Sequence, residues 1–182
     1  IPLDYNQKEE RYNWELVFCE LYAGGKYNNN TGESYEYSLV LNGLGACATQ
    51  YASEYFDVVV FRDGFRFSLH FEKGENIGGL TKEPVRQKKT GTIQKWRPDR
   101  DVFTEILIPL EYYQSVLKRQ AVVNAGITFV LFDEVSGVTT NFHYPEGILG
   151  YIREIEDGRG ISTPVLYESS GKGRERSAIF QK

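Results

Sequence analysis

The spacing of apolar residues changes period twice along this chain. From Asn13 to Tyr22, Trp14, Val17, Phe18 and Leu21 recur at helical intervals, which predicts a helix with one apolar face, stopped by Gly24-Gly25. Asn28 to Ser34 is polar throughout and reads as a loop with the character of a lid. An apolar run, Ser38 to Leu41, then meets the turn Asn42-Gly43-Leu44-Gly45, and a second helix is expected from about Leu44 to Ser53. After it the period drops to two. Val58 to Phe61 is a short apolar run and Asp63-Gly64 a hairpin signal. Phe65, Phe67, Leu69 and Phe71 alternate with Arg66, Ser68, His70 and Glu72, which predicts a strand with one buried face. Glu75 to Gly79 is expected to turn the chain, and Thr92 to Trp96 to form a further strand. Helical spacing returns from Pro109 to Asn124. Ile127 to Phe132 and Val138 to His143 read as a hairpin about Ser136-Gly137, followed by a short helix from Glu146 to Ile155.

Helices that precede and interrupt a run of antiparallel strands predict an α+β sandwich, with one sheet face packed on helices. The 182 residues suffice for one domain with a substantial core and part of a second. A hydrophobic share of 41% and a charged share of 25% are ordinary for a globular protein. The net charge of −4 provides no general attraction for nucleic acid. Cys19 and Cys47 fit no metal or redox spacing and read as two buried free thiols in a reducing cytosol. No apolar run approaches the roughly 20 residues that cross a membrane, so a cytoplasmic location is expected. The chain opens on Ile and stops just after an alternating stretch begins, so both ends read as cuts through a longer protein.

The chemistry concentrates at Asn42 to Gly45. Gly43 and Gly45 let the backbone turn sharply and approach a ligand closely. A helix that begins there aims free N–H groups and its positive dipole end into the turn, which suits a phosphate. Two glycines before a helix also make a plain loop, so the neighbours decide. Leu21-Tyr22-Ala23-Gly24-Gly25-Lys26-Tyr27 comes before, and Lys89-Thr90-Gly91-Thr92 and Phe142-His143-Tyr144-Pro145-Glu146-Gly147-Ile148 come after. In this order and spacing the segments resemble the ATPase domain of the DNA gyrase B family, with the B-type subunits of topoisomerase IV equally similar. That domain belongs to the GHKL ATPase superfamily, which includes MutL and the histidine kinases. The resemblance runs from Ile1 to about Ile179.

It implies a two-layer sandwich of helices on a mixed, mostly antiparallel sheet. Residues 1–155 would be a partial ATPase domain lacking its N-terminal helix, and 156–182 the start of a transducer domain. It also implies ATP with Mg2+ as cofactors. The phosphates would lie under Asn42, Gly43, Leu44 and Gly45, with Lys26 as a nearby cation and the Tyr35 hydroxyl on the terminal phosphate. Taken alone, Lys26 is equally a solvated loop lysine, and Tyr35 a packing anchor. Thr92 matches the threonine that helps read the adenine edge, Gly91 leaves room for the base, and Arg62 and Pro2 line the mouth of that pocket. A strand-end arginine is otherwise a solvated charge. The parent protein would be an ATP-hydrolysing DNA topoisomerase. Its partners would be DNA and the gyrase A subunit, and its B subunits would dimerise on binding ATP.

Three departures qualify the match. Leu39 and Val40 stand where the family has glycines, which puts tight wrapping of phosphate in doubt. Asn42 replaces a frequent histidine. The family's general base, its magnesium-binding asparagine and its adenine-reading aspartate would all precede Ile1, so the chain alone is expected to be inactive. A degenerate, non-catalytic ligand-binding or interaction module is the alternative. Asp157-Gly158-Arg159-Gly160-Ile161 imitates the missing segment but follows the last helix, and it reads as a charged linker. The basic cluster Lys172 to Arg176 reads as a solvated turn.

Overall fold

Asp63 and Gly64 adopt φ of 55° and 80°, the pair of positive values that a two-residue hairpin turn demands. In the computed structural model, which describes residues 1–22, 43–86, 89–160, 162–165, 167, 170–172 and 179–181, that turn joins the two central strands of a four-stranded sheet. Strand β3 (Ser53–Arg62) and strand β4 (Phe65–Glu72) run antiparallel from Arg62↔Phe65 to Tyr55↔Glu72. β5 (Glu75–Pro84) pairs with β4, and β6 (Gly91–Pro98) with the other side of β3, giving the sheet order β5-β4-β3-β6. Every strand pairing among the described residues is antiparallel.

The described residues divide into two compact units, Ile1–Ile106 and Leu107–Lys182. In the first, a small hairpin, β1 (Tyr5–Asn6) with β2 (Arg11–Tyr12), leads into helix α1 (Asn13–Phe18). The Glu15 carboxylate accepts the Tyr12 N–H at 2.8 Å and closes the start of that helix. Helix α2 (Gly45–Tyr51) runs directly into β3. Both helices lie on one face of the sheet. Phe18, Phe56 and Phe71 meet with ring centroids 5.8 to 6.4 Å apart, and Leu3, Val58, Val60 and Leu69 complete the core. Trp14, Val17 and Ala46 pack against it. This is the two-layer arrangement that the alternating β4 sequence and the helical spacing of α1 require.

One expectation is overturned. Glu75 to Gly79 does not turn the chain; it opens β5. The turn lies two residues earlier, at Lys73-Gly74, where φ is 46° and 92°. Gly78 and Gly79 sit at a shift of register against Ser68 to His70, so they form a bulge within the ladder.

In the second unit, α3 (Leu110–Val123) packs on the hairpin β7 (Thr128–Asp133) and β8 (Val138–His143), whose register runs from Thr128↔His143 to Asp133↔Val138. Helix α4 (Ile148–Glu156) follows, tied to α3 by Lys118–Glu154 at 2.7 Å. Asp157 and Gly158, both at positive φ, end α4, and Arg159 is exposed and paired with Asp157 at 3.2 Å. The segment that imitates an adenine-reading motif is thus a helix C-cap. Strands β9 (Ser170–Lys172) and β10 (Ile179–Gln181) form a last antiparallel pair. No helix among the described residues is long and apolar enough to cross a membrane.

Candidate functional site

The candidate site occupies the helix-covered face of the first sheet, toward the Asp63-Gly64 end. Alternation along β3 sets Phe56, Val58, Val60 and Arg62 on that face. The first three are at most 2% exposed, whereas Arg62 at the strand end is open to solvent. Its guanidinium meets Asp63 at 3.0 Å and Asp4 at 3.8 Å. Asp4 belongs to the N-terminal segment, which the buried Leu3 anchors in the core. The contact therefore draws the segment that holds Pro2 toward Arg62. On the next strand Gly91 faces Phe61 and Thr92 faces Val60. Cross-strand partners share a face, so Thr92 projects on the same side as Val60 and Arg62. It is exposed. Of the residues predicted to hold an adenine, Arg62 and Thr92 thus share one end of the covered face, and Gly91 adjoins Thr92 on the strand.

The glycine turn enters the same layer. Gly43 has φ of 63°, a backbone state that glycine adopts at no steric cost. Leu44 is the N-cap of α2, and the first intrahelical bond is the Ala48 N–H to the Leu44 carbonyl at 2.9 Å. The N–H groups of Gly45, Ala46 and Cys47 consequently have no partner within the helix. A Cβ placed at Gly45 would meet nothing within 4 Å, and Gly45 needs no positive φ. The conformational demand therefore falls on Gly43, and the requirement for open space falls on Gly45. Lys26, Tyr35 and Asn42 lie outside the described residues, as do Leu39 and Val40, the Asn28 to Ser34 loop and most of the Lys172 to Arg176 cluster.

The cysteines sit nearby without forming a site. Both are free; Cys47 is fully buried and Cys19 only partly so. Burial, followed by the neighbouring Cys47, pushes the Cys19 thiol up to about 11, so it stays protonated and unreactive at neutral pH. No group of three or more His, Cys, Asp or Glu among the described residues is placed to hold a metal ion. Two glutamines escaped the sequence reading. Gln50 in α2 is fully buried, and among the described residues neither of its amide atoms finds a hydrogen-bond partner. Gln94 faces Val58 on the covered side of the sheet, two residues beyond Thr92. The alternation within Thr92 to Trp96 held that signal: it places positions 92, 94 and 96 together on one face.

Comparison with known proteins supplies the context for this geometry. No family model matches the chain. It is 30% identical over 163 residues to the B subunit of DNA gyrase from Archaeoglobus fulgidus, and 31% identical over 159 residues to the B subunit of DNA topoisomerase 4 from Salmonella typhimurium. Each match covers 87% of this chain and 25% of the relative, so the chain spans about a quarter of the length of the curated relatives it matches. Among solved structures, the 43K ATPase domain of Thermus thermophilus gyrase B, in complex with an aminocoumarin, superposes with a TM-score of 0.71. That match covers 96% of this chain and 43% of the other, at 22% identity, and shows a common fold. The homologues of this chain are thus the B subunits of DNA gyrase and topoisomerase IV, and its fold is the α+β fold of their ATPase domain.

Proposed function

We propose that this chain carries part of the ATP-binding face of a type II DNA topoisomerase B subunit, that of DNA gyrase in the first instance and of topoisomerase IV as the alternative. The observation that carries the reading is its homology to both kinds of B subunit over 87% of its length. In the parent, ATP binding closes two B subunits as a gate on a captured DNA segment, with the gyrase A subunit as partner. Residues 1–155 belong to the ATPase domain and 156–182 begin the transducer.

The chain's own residues bind and orient. The unpaired N–H groups that open α2 suit an anion. Asn42 to Gly45 hold the phosphates, with Lys26 and Tyr35 beside them, while Thr92, Gly91, Arg62 and Pro2 enclose the base. The open space at Gly45 and the exposed Thr92 fit such a ligand. Mg2+, if bound with the phosphates, would supply neutralisation of their negative charge. Neither a metal ligand nor the general base is assigned to this chain, and phosphoryl transfer requires both. The 182-residue polypeptide is therefore expected to release phosphate from ATP no faster than a blank without protein. Turnover that persists through further purification and disappears in Lys26→Ala would overturn this division of roles.

The phosphate turn is tested through Gly45. A side chain there finds room in the fold, yet it fills the space where phosphate would sit. In the full-length protein, Gly45→Val should leave the circular dichroism unchanged and adenosine binding intact. It should weaken ATP by about tenfold, the scale of one lost charge-assisted hydrogen bond. Equal losses for both ligands would mean that Gly45 serves only the fold. No loss for either would place the phosphates elsewhere.

A further inference from the structure

Helix α2 is short, and few of its side chains hold it to the rest of its unit. Its inward residues Ala46 and Cys47 are small, and the amide of the buried Gln50 makes no hydrogen bond among the described residues. The Thr49 hydroxyl donates to the Gly45 carbonyl, within the helix. Tyr51, at the last position, reaches outward to two other elements. Its hydroxyl donates to the carbonyl of Cys19, the C-cap of α1, at 3.5 Å. Its ring edge lies against Gly74, where a Cβ would fall 2.6 Å from Cδ1 and 2.9 Å from Cε1. The turn that receives the ring is itself fixed. The Lys73 N–H donates to the Glu54 carbonyl at 3.2 Å, and the Lys73 ammonium meets Asp101 at 2.5 Å and Asp99 at 3.6 Å. The Asp99 N–H in turn donates to the carbonyl of Ala52, the residue after Tyr51, at 2.9 Å. The end of α2 and the Lys73-Gly74 turn are thus held in one closed circuit, and Tyr51 is the side chain of α2 that joins it.

We propose that Tyr51 is a positioning residue for ATP: by clamping α2 to the Lys73-Gly74 turn, it sets the aim of the Gly43 to Gly45 turn at the phosphates. This rests on the nucleotide reading above and adds to it a residue that touches no ligand. Six residues separate Tyr51 from Gly45, about 9 Å of helix. Beyond Ala52 the chain enters the ladder of β3, so α2 leans from that end. A lean of about 10° carries the Gly45 N–H by about 1.5 Å, well beyond the spread of about 0.5 Å in hydrogen-bond lengths. Arg62 and Thr92 belong to the sheet and do not move with α2. Loss of the clamp therefore separates the two halves of the ligand: contacts to the phosphates weaken, and contacts to the base stay.

The test compares ATP with adenosine, which shares the base and leaves the glycine turn empty. Tyr51 is 51% exposed, so Tyr51→Ala opens no cavity in the core. In the full-length protein, calorimetric titration should show ATP bound more tightly than adenosine. Tyr51→Ala should weaken ATP by about tenfold, the scale of one lost charge-assisted hydrogen bond, and adenosine by less than about twofold. Tyr51→Phe, which keeps the ring on Gly74, should hold ATP within about twofold of the unaltered protein. Gly74→Ala reaches the same clamp from the other side; by pushing the ring away it should also weaken ATP selectively. Circular dichroism establishes that each variant is folded. A merely structural Tyr51 would change stability and leave the ratio of the two affinities as it was. If the unaltered protein prefers ATP but that ratio is unchanged in folded Tyr51→Ala or Gly74→Ala, Tyr51 does not position the phosphate turn. If the unaltered protein binds the two ligands alike, or neither, the reading of the glycine turn falls, and this inference falls with it.

Discussion

The two faces of the four-stranded sheet share one backbone yet do opposite work. On the covered face, Phe56, Val58, Val60, Leu69 and Phe71 are all at most 3% exposed, sealed by Phe18 of α1 and by Leu3. On the outer face the same strands carry Asp57, His70, Glu72, Lys95 and the pair Arg66–Glu83 at 3.2 Å. An open hollow of about 400 Å³ lies there, with Val59, Ile77 and Ile93 among its lining. Apolar burial is worth roughly 25 cal/mol per Å² removed from water, whereas an exposed ion pair is worth about 1 kcal/mol at most. Stability is therefore concentrated on one face. The candidate ligand residues Arg62 and Thr92 lie on that same face where the cover gives out. A binding surface at the margin of a rigid core inherits its rigidity.

The largest break in this asymmetry should come from Phe71. It touches Trp14, Phe18 and Phe56 through its ring and is fully buried. Phe71→Ala removes an aromatic shared by α1 and the sheet and should cost about 3–5 kcal/mol. Urea unfolding followed by the fluorescence of Trp14 and Trp96 measures it. A loss under about 1 kcal/mol would show that the site collapses around the cavity, and that the covered face is less tightly packed than its burial indicates.

This face was the most legible part of the chain. Alternation from Phe65 to Glu72 and helical spacing through Trp14, Val17 and Phe18 specify which side chains point inward, because period two and period 3.6 follow from backbone geometry alone. Both turns of the sheet have the same chemistry, but only Asp63-Gly64 stood between clear apolar runs. Lys73-Gly74 was passed over because the next strand reads Glu75-Asn76-Ile77-Gly78-Gly79. Its two glycines imitate a turn, and in the fold they form a bulge. The Tyr5–Tyr12 hairpin was missed because two-residue strands leave no period to detect. Within the site, Arg62 and Thr92 could be placed by motif, whereas their sharing of one face required the β3–β6 register, which no local pattern supplies.

A smaller effect separates the two ends of the sheet. Gly74 and Gly64 both occupy positive φ, at 92° and 80°. At Gly64 an added Cβ meets nothing within 4 Å; at Gly74 it falls 2.6 Å from Cδ1 of Tyr51, a residue of α2. Gly64→Ala therefore incurs backbone strain alone, about 1 kcal/mol. Gly74→Ala adds displacement of the Tyr51 ring from its place over the turn, for a total of about 2–3 kcal/mol. The same urea titrations decide. Equal costs would mean that Tyr51 swings aside freely and that α2 does not clamp this end.

The smallest effect belongs to the outer face, and its sign distinguishes it from packing. His70 Nδ1 lies 2.6 Å from Asp57 and Nε2 lies 3.2 Å from Glu72. Across β5 it faces the uncharged Ile77, and beyond Asp57 stands Lys95, which turns over the Tyr55 ring at 5.8 Å. The hydrogen bond to Asp57, then that to Glu72, raises the imidazole above its usual value, against a smaller opposing effect of burial. The imidazolium is thus held more tightly in the folded chain than in the unfolded one. Its contribution is complete below the unfolded value of about 6.5. It is lost as pH rises through the higher folded value. With 40% of the side chain exposed, solvent screening limits it to under about 1 kcal/mol. His70→Gln should accordingly be less stable than the unaltered protein at about pH 5.5 and nearly equal to it at about pH 9, on either side of that range, with midpoints compared in urea at both. Phe71→Ala should show the same deficit at both values, because no proton takes part in its packing. A His70→Gln deficit that does not change with pH would mean that the ring acts on the outer face as packing, and that the charge ladder between Asp57 and Glu72 contributes nothing.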